Sequence, residues 1–384
     1  MVTASHNAAE YNGLKMVFGS DPLCGLDLRE IRRIVADEDF LHGRGREEHA
    51  EILGAYVSAL REDLQVRRPL RVGIDAGHGT AGEVARTVLE TLGVKVVPLR
   101  TPLVTREDGH FLDPAQEDDL HGLQRFVRAR GLDLAVAYDG DGDRLGVVGP
   151  TGEVIRADDL LILFAGDILR THPGAAVVGE VLCSQRLFDE VARLGGRPIM
   201  WKTGHSLVRQ KMIVEGALLA GELSGHFFFA DRHPGFDDAI YATGRLLEIL
   251  SSGPATLPQL LSDLAPLATS PQIRIPCDDR AKQGVMSMIK QSLHQIAAQL
   301  GAQLVDIDGV RLSWPDGWAV VRASNTEPAI VIRCEAADEA RLAGIRSMIL
   351  AVVNDAVAHH GTPAALGRAA TVLADSRLHA PRER

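Results

Sequence analysis

The chain has 384 residues, with 51 acidic against 41 basic side chains and a net charge of −10. That balance disfavours a general nucleic-acid binder, whose footprint is basic. The length exceeds one ordinary core, so about three domains are expected, and an apolar content of 46% is that of a globular protein. Cys24, Cys183, Cys277 and Cys334 have no paired spacing, which disfavours a zinc site and fits reduced thiols in a cytoplasmic protein. No membrane-spanning apolar run is read, and the N-terminus lacks a signal pattern.

In chain order, Met1 to Asn7 reads as a strand end entering a polar loop, with Ser5 beside His6 and Lys15 close in sequence. These three suit a nucleophile with acid and base partners, or simply an ordinary polar loop. Residues 27–36 and 46–64 carry helical apolar spacing. Residues 70–99 form a β-α-β unit. Its loop, Gly77-His-Gly-Thr-Ala-Gly82, has the spacing of a dinucleotide-binding turn, and Arg100 follows the second strand where an acidic residue would hold a ribose. An NAD(P)-dependent oxidoreductase is therefore one alternative function. The other reading is a tight strand-to-helix turn.

A helix over 116–130 leads into an apolar strand, then Asp139-Gly140-Asp141-Gly142-Asp143-Arg144, then another strand from Leu145 to Val148. Three carboxylates separated only by glycine repel one another and call for a cation, and all-oxygen ligands suit a hard ion such as Mg2+ or Ca2+. A calcium EF-hand is excluded: its sixth position must be glycine and is Arg144, and its twelfth should be Glu and is Pro150. A hairpin at Thr151-Gly152 follows, then a helix over 158–169 with Asp158 as its cap, a strand over 175–181 and a helix over 187–194. This alternation implies helix-covered parallel or mixed sheets.

Lys202-Thr-Gly204-His205-Ser206 opens a helix near Leu207, a place suited to an anion. Glu222, Ser224 and His226 alternate in what reads as an extended segment, so they face one way and suit sugar hydroxyls. Helices over 238–250 and 257–264 follow. From Thr269 the pattern becomes an α+β module: a strand over 269–275, helices over 280–300 and 339–359, and strands 318–322 and 329–333 around a loop. With Arg322, Ser324, Asn325 and Thr326, and Arg333 on the following strand, that loop reads as a phosphate clamp. Residues 361–384 read as a weakly ordered tail.

Thr3-Ala-Ser-His-Asn7, the acidic hexapeptide, Gly221-Glu-Leu-Ser-Gly-His226 and Arg322-Ala-Ser-Asn-Thr-Glu-Pro328 resemble, in that order, the four signature loops of the α-D-phosphohexomutases. Leu223 and Gly235-Phe-Asp-Asp238 look most like the phosphomannomutase/phosphoglucomutase branch. The resemblance implies a multi-domain α/β fold: residues 1–51 as a remnant of a first domain, 52–153 with the metal loop, 154–266 with the sugar loop, 267–360 as the C-terminal α+β clamp, and 361–384 as the tail. It implies Mg2+ held by Asp139, Asp141, Asp143 and a phosphorylated Ser5, with a hexose 1,6-bisphosphate as intermediate and activator. Lys15 and His6 become proton carriers, and Arg144 a holder of the phosphoserine loop. Lys202, Gly204, His205, Glu222, Ser224 and His226 line the sugar pocket. Arg322, Ser324, Asn325, Thr326 and Arg333 grip the other phosphate. The expected partners are small sugar phosphates, with no nucleic acid and no membrane. The chain departs from the family pattern where Ala8 replaces a proline, where Leu182 replaces a lysine, and in a first domain that would precede Thr3. An impaired remnant that only binds sugar phosphates is a second alternative.

Overall fold

The computed structural model describes residues 1–7, 11–19, 21–104, 112–325 and 327–360. Ala8, Thr326 and the tail 361–384 lie outside them. The chain forms two compact units, Met1–Asp263 and Leu264 onward.

Unit 1 begins with a short ribbon, β1 (Val17–Phe18) and β2 (Asp21–Pro22), and two helices, α1 (Leu26–Ala36) and α2 (Leu53–Asp63). The helix expected from residue 46 starts only at Leu53. Residues 46–52 are exposed throughout, and an exposed segment this short does not hold a helix. Next come β3 (Arg71–Asp75), α3 (Ala81–Thr91), β4 (Lys95–Arg100), α4 (Glu117–Arg130), β5 (Leu134–Tyr138), β6 (Leu145–Val148) and β7 (Val154–Ile155). The strands order as β4-β3-β5-β6-β7. The first three are parallel, joined by helical crossovers, and the last two turn back as hairpins. All of β5 and β6 is buried, which explains their continuous apolar reading.

The second sheet follows from α5 (Ala157–Thr171), β8 (Ala176–Glu180), α6 (Gln185–Arg193), β9 (Arg197–Trp201), α7 (His205–Glu215), β10 (Leu219–Gly221) and β11 (Phe227–Phe229), in the order β11-β10-β8-β9. Helices α8 (Ala239–Ser251) and α9 (Leu257–Leu260) complete the unit. Asp158 is not the cap of α5. Arg156 holds that position, and buried Asp158 accepts from the Arg156 guanidinium at 2.7 Å and the Ser184 amide at 2.9 Å. Asp238 does cap its helix, accepting from the Tyr241 amide at 2.9 Å.

Unit 2 holds β12 (Ala268–Thr269), β13 (Ile273–Pro276), α10 (Lys282–Leu300), β14 (Gln303–Val305), β15 (Val310–Trp314), β16 (Gly317–Ala323), β17 (Ala329–Ala336) and α11 (Glu339–His360). Its antiparallel sheet runs β12-β17-β16-β15-β14, with β13 also on β17. The single strand expected over 269–275 is therefore two. Pro271 supplies no amide to a ladder there. By length and composition alone, Glu339–His359 could cross a membrane, contrary to the sequence reading. Its Leu342, Ile345, Ile349 and Val353 instead pack in the core of unit 2 with Val285 and Ile289 of α10.

Candidate active site

Both sheets of unit 1 bring loops to the carboxyl ends of their strands, where open α/β sheets bind ligands. The acidic loop leaves β5, and the 222–226 turn leaves β10. The two are joined through the backbone: the Leu145 amide donates to Gly225 O at 3.0 Å, and Arg144 bridges to His226. Residues 222–226 are a hairpin turn rather than the extended segment expected from sequence. Gly225 adopts a φ of 95°, and its amide donates back to Glu222 O at 3.1 Å. Glu222, Ser224 and His226 thus converge through a turn, not through alternation.

The amino-terminal loop lies on the acidic loop. Thr3 and Lys15 are placed by a short antiparallel pairing, Thr3 N to Gly13 O at 3.0 Å and Lys15 N to Met1 O at 2.9 Å. Ser5 has a φ of 54°, a left-handed conformation that costs a non-glycine residue about 1 kcal/mol. Its amide is held by Thr3 Oγ1 at 2.9 Å. Its hydroxyl donates to Asp139 Oδ2 at 2.6 Å and lies 3.1 Å from His6 Nδ1.

Asp139, Asp141 and Asp143 present oxygens within 4.8 Å of one another. Asp139 Oδ1 accepts the amides of Gly142, Asp143 and Arg144, each at 3.1 Å. Asp141 Oδ1 and Asp143 Oδ1 are buried without a hydrogen-bond partner. Lys15 Nζ bonds Asp141 Oδ2 at 2.8 Å and also Asp143 Oδ2, so a cation already sits against the cluster. Orphaned carboxylate oxygens together with a charge-neutralising ammonium fit a divalent hard ion.

The electrostatics follow the burial. Burial, with Asp143 and Asp141 beside it, pushes the Asp139 carboxyl up to about 7. Burial opposes the charge on Lys15 and on Asp141, but each holds the other ionised: the lysine is raised and the carboxyl lowered. Burial and the Arg144 cation lower His6, leaving a neutral ring beside Ser5. Arg144 reaches four ways: Nε donates to His226 Nε2 at 3.1 Å, one terminal nitrogen donates to Asp113 Oδ1 at 3.2 Å and lies 3.4 Å from His6 Nε2, and its amide donates to Asp139.

Two influences compete for the His226 proton. Against its burial, Asp143 and Asp237 draw the ring towards the cation, up to about 9. The Arg144 Nε–H, however, needs a lone pair on Nε2. That contact geometry selects a neutral ring with its proton on Nδ1, which faces Asp237 Oδ2 at 2.9 Å. Burial also opposes the charge on Asp237, yet His226 and His205 hold it down at about 2. His205 is lowered by burial and by His226. The Gly204 amide donates to Glu222 Oε1 at 2.5 Å, while Lys202 is exposed beside Trp201.

Thirteen candidates share unit 1, and all but exposed Lys202 are tied into this neighbourhood by the contacts above. A cavity of about 1050 Å³ opens here, lined by the polar Lys15, Asp141, Asp143, His205 and Asp237 together with the apolar Leu14, Leu23, Leu53 and Phe236. Arg322 and Arg333 are buried in the unit 2 sheet, where they contact Asp308 at 2.9 Å and Glu335 at 3.3 Å. Ser324 Oγ accepts from the Glu327 amide at 3.1 Å, and Asn325 lies on the same loop. Sequence reasoning assigned nothing to Asp113 and no contact to Asp237. Asp113 sits 31 residues from Arg144 and carries no local motif. The alternative dinucleotide turn is filled by protein: a Cβ on Gly79 would lie 2.7 Å from Gly140 O, and one on Gly82 2.2 Å from Thr101 O. Arg100 is paired with Asp75 at 2.6 Å. Those glycines serve close backbone packing.

Fold and site together define a sugar-phosphate mutase type of α/β protein. The phosphoglucomutase/phosphomannomutase models match three times: α/β/α domain II over residues 54–152, α/β/α domain III over 156–267 and the C-terminal domain over 273–352. The phosphomannomutase/phosphoglucomutase of Pseudomonas aeruginosa is 40% identical over 349 residues, spanning 91% of this chain and 74% of that protein. The phosphoglucomutase of Neisseria gonorrhoeae is 36% identical over 92% of this chain and 76% of its own. The crystal structure of a family protein from Burkholderia thailandensis superposes with a TM-score of 0.85 at 38% identity, covering 92% of this chain and 75% of that one. The chain belongs to the phosphoglucomutase/phosphomannomutase family.

Proposed function

We propose that this chain is a Mg2+-dependent mutase interconverting hexose 6-phosphate and hexose 1-phosphate of the gluco or manno series. The route is a phosphorylated Ser5 and a hexose 1,6-bisphosphate. The observation that carries it is Ser5 Oγ lying 2.6 Å from Asp139 within the carboxylate cluster. Mg2+ held by Asp139, Asp141, Asp143 and an oxygen on Ser5 would neutralise charge on the moving phosphoryl group.

The side chains carry the rest. A sugar hydroxyl attacks the phosphorus carried by Ser5, the bond from phosphorus to Ser5 Oγ breaks, the hydroxyl proton leaves to a base, and the departing Ser5 Oγ takes up a proton. In the return step Ser5 Oγ attacks the other phosphate of the bisphosphate. Its proton passes to neutral His6, 3.1 Å away, and the departing sugar oxygen takes up a proton. Lys15 stays charged against Asp141 and Asp143 and is the acid nearest the site. Arg144 orients His6 and the Ser5 loop. Glu222, Ser224, His205 and His226 hold sugar hydroxyls, with Lys202 and Gly204 at the mouth of α7. The resemblance assigns the non-reacting phosphate to Arg322, Ser324, Asn325, Thr326 and Arg333. Cys24, Cys277 and Cys334 are free thiols, which fits a reducing cytoplasm.

The test is conversion of glucose 1-phosphate with Mg2+ and a trace of glucose 1,6-bisphosphate, alongside intact mass. A phosphate on the wild type that is absent from Ser5→Ala, with turnover lost in the variant, is expected. Sugar-phosphate binding without phosphate on Ser5 and without turnover would overturn the mutase in favour of a binding remnant.

A further inference from the structure

Beside the all-oxygen cluster lies a second group of different chemistry. His205 opens α7, His226 closes the β10–β11 turn, and Asp237 precedes α8. Each offers one donor atom, and these atoms lie within 4.8 Å of one another. His226 Nδ1 and Asp237 Oδ2 are 2.9 Å apart, yet both are buried and neither completes a well-aligned hydrogen bond. Two donors on a tetrahedral ion, each about 2.0–2.1 Å from it, lie roughly 3.3 Å apart, so this pair holds one after opening by a few tenths of an ångström. The two imidazole rings are 5.4 Å apart and tilted by 42°, not stacked. His226 itself is 3% exposed.

We propose that His205, His226 and Asp237 form a binding site for a borderline divalent cation such as Zn2+, distinct from the Mg2+ ligands Asp139, Asp141 and Asp143. Two imidazoles and one carboxylate suit zinc, whereas Mg2+ prefers oxygen and keeps its waters. Three protein ligands leave a fourth position open to water or an anion. The surroundings favour a second cation: Asp143 Oδ1 lies 3.6 Å from His226 Nδ1, and the Glu222 carboxylate bonds the Gly204 amide next to His205, against the charges of Lys15 and Arg144.

Occupancy has a consequence for Arg144. A metal on Nδ1 requires the ring proton on Nε2, so one proton leaves Nδ1 and one arrives at Nε2. Nε2–H would then face the Arg144 Nε–H, now 3.1 Å away, and two donors repel. Arg144 must turn away, loosening its hold on His6 and the Ser5 loop. The second site is therefore inhibitory. The metal site stands independently of the mutase reading, and only its effect on turnover rests on it.

The experiment is equilibrium dialysis of the full chain with Zn2+ in a large excess of Mg2+, repeated with Co2+ and read by visible absorption. One Zn2+ per chain retained against Mg2+, with the stronger Co2+ bands of a low-coordinate nitrogen site, is expected. His205→Gln and the isosteric Asp237→Asn should each weaken binding by more than the roughly 10–100-fold that loss of an outer-shell partner costs, while Asp141→Asn leaves it in place. Circular dichroism confirms that each variant folds. No Zn2+ retained against Mg2+, or binding lost in Asp141→Asn and kept in both ligand variants, overturns the site. In the turnover arm, inhibition by Zn2+ should persist in excess Mg2+ and be relieved by a chelator. Absence of mutase activity removes that arm alone and leaves the dialysis to decide.

Discussion

A Cβ placed on Gly140 would lie 2.3 Å from the carbonyl oxygen of Ser5. The acidic loop and the nucleophile loop therefore approach as backbone on backbone, and no side chain fits between them. Gly140→Ala must push the two apart by about an ångström, and misplacement of that size costs about 100-fold in rate. The expected outcome is a kcat lowered by that order with the far-UV spectrum unchanged, measured in the glucose 1-phosphate assay. Unaltered turnover would mean that the contact does not set the geometry of Ser5.

Arg144→Lys keeps the charge and loses the planar fork. A lysine cannot donate to His226, Asp113 and the His6 side at once. A fall of about 10–100-fold in kcat is expected from the loss of roughly 1.5–3 kcal/mol of charge-assisted bonding. Because Arg144 orients protein groups, KM should change far less than kcat in steady-state kinetics.

Arg245 is a structural counterpart. It is 2% exposed, pairs with Asp231 at 2.8 Å and Asp167 at 3.4 Å, and lies 4.7 Å over the Phe229 ring. Arg245→Ala strands Asp231 in the interior, so a loss of about 3–5 kcal/mol in urea unfolding is expected. A loss below about 1 kcal/mol would place these charges in contact with water.

His233 supplies a pH signature. It stacks on Tyr241 with centroids 4.3 Å apart and packs on Phe236. Burial holds its pKa down at about 4, with Arg245 acting in the same direction against Asp63 and Asp231. A histidine lowered on folding gives stability that is complete above its unfolded value of about 6.5. That stability is lost as pH falls towards 4, because the unfolded chain takes up the proton first. His233→Phe should flatten the difference in unfolding free energy between pH 7 and pH 4.5. Equal slopes in both proteins would show that other groups carry the dependence.

The local chemistry is legible in the residue pattern: the alternating strands and helices of unit 1, the antiparallel module of unit 2, and the segments that carry Ser5, the three aspartates, Glu222 and Arg322. These were legible because apolar periodicity and glycine spacing are properties of neighbouring residues. Where the expectations failed, packing had overridden the local pattern. Residues 46–52 stay exposed, Asp158 is drawn inward by Arg156, and the 222–226 segment turns at Gly225. Which groups meet is settled by the folded chain. Asp113 reaches Arg144 from the segment after β4, and Asp237 reaches His226 from the segment after β11, and neither pairing leaves a trace in sequence spacing. The glycines of 77–82 show the same limit. Their spacing fits a phosphate turn, but the space they free is taken by Gly140 and Thr101, because which backbone approaches a glycine is settled only when the chain is folded.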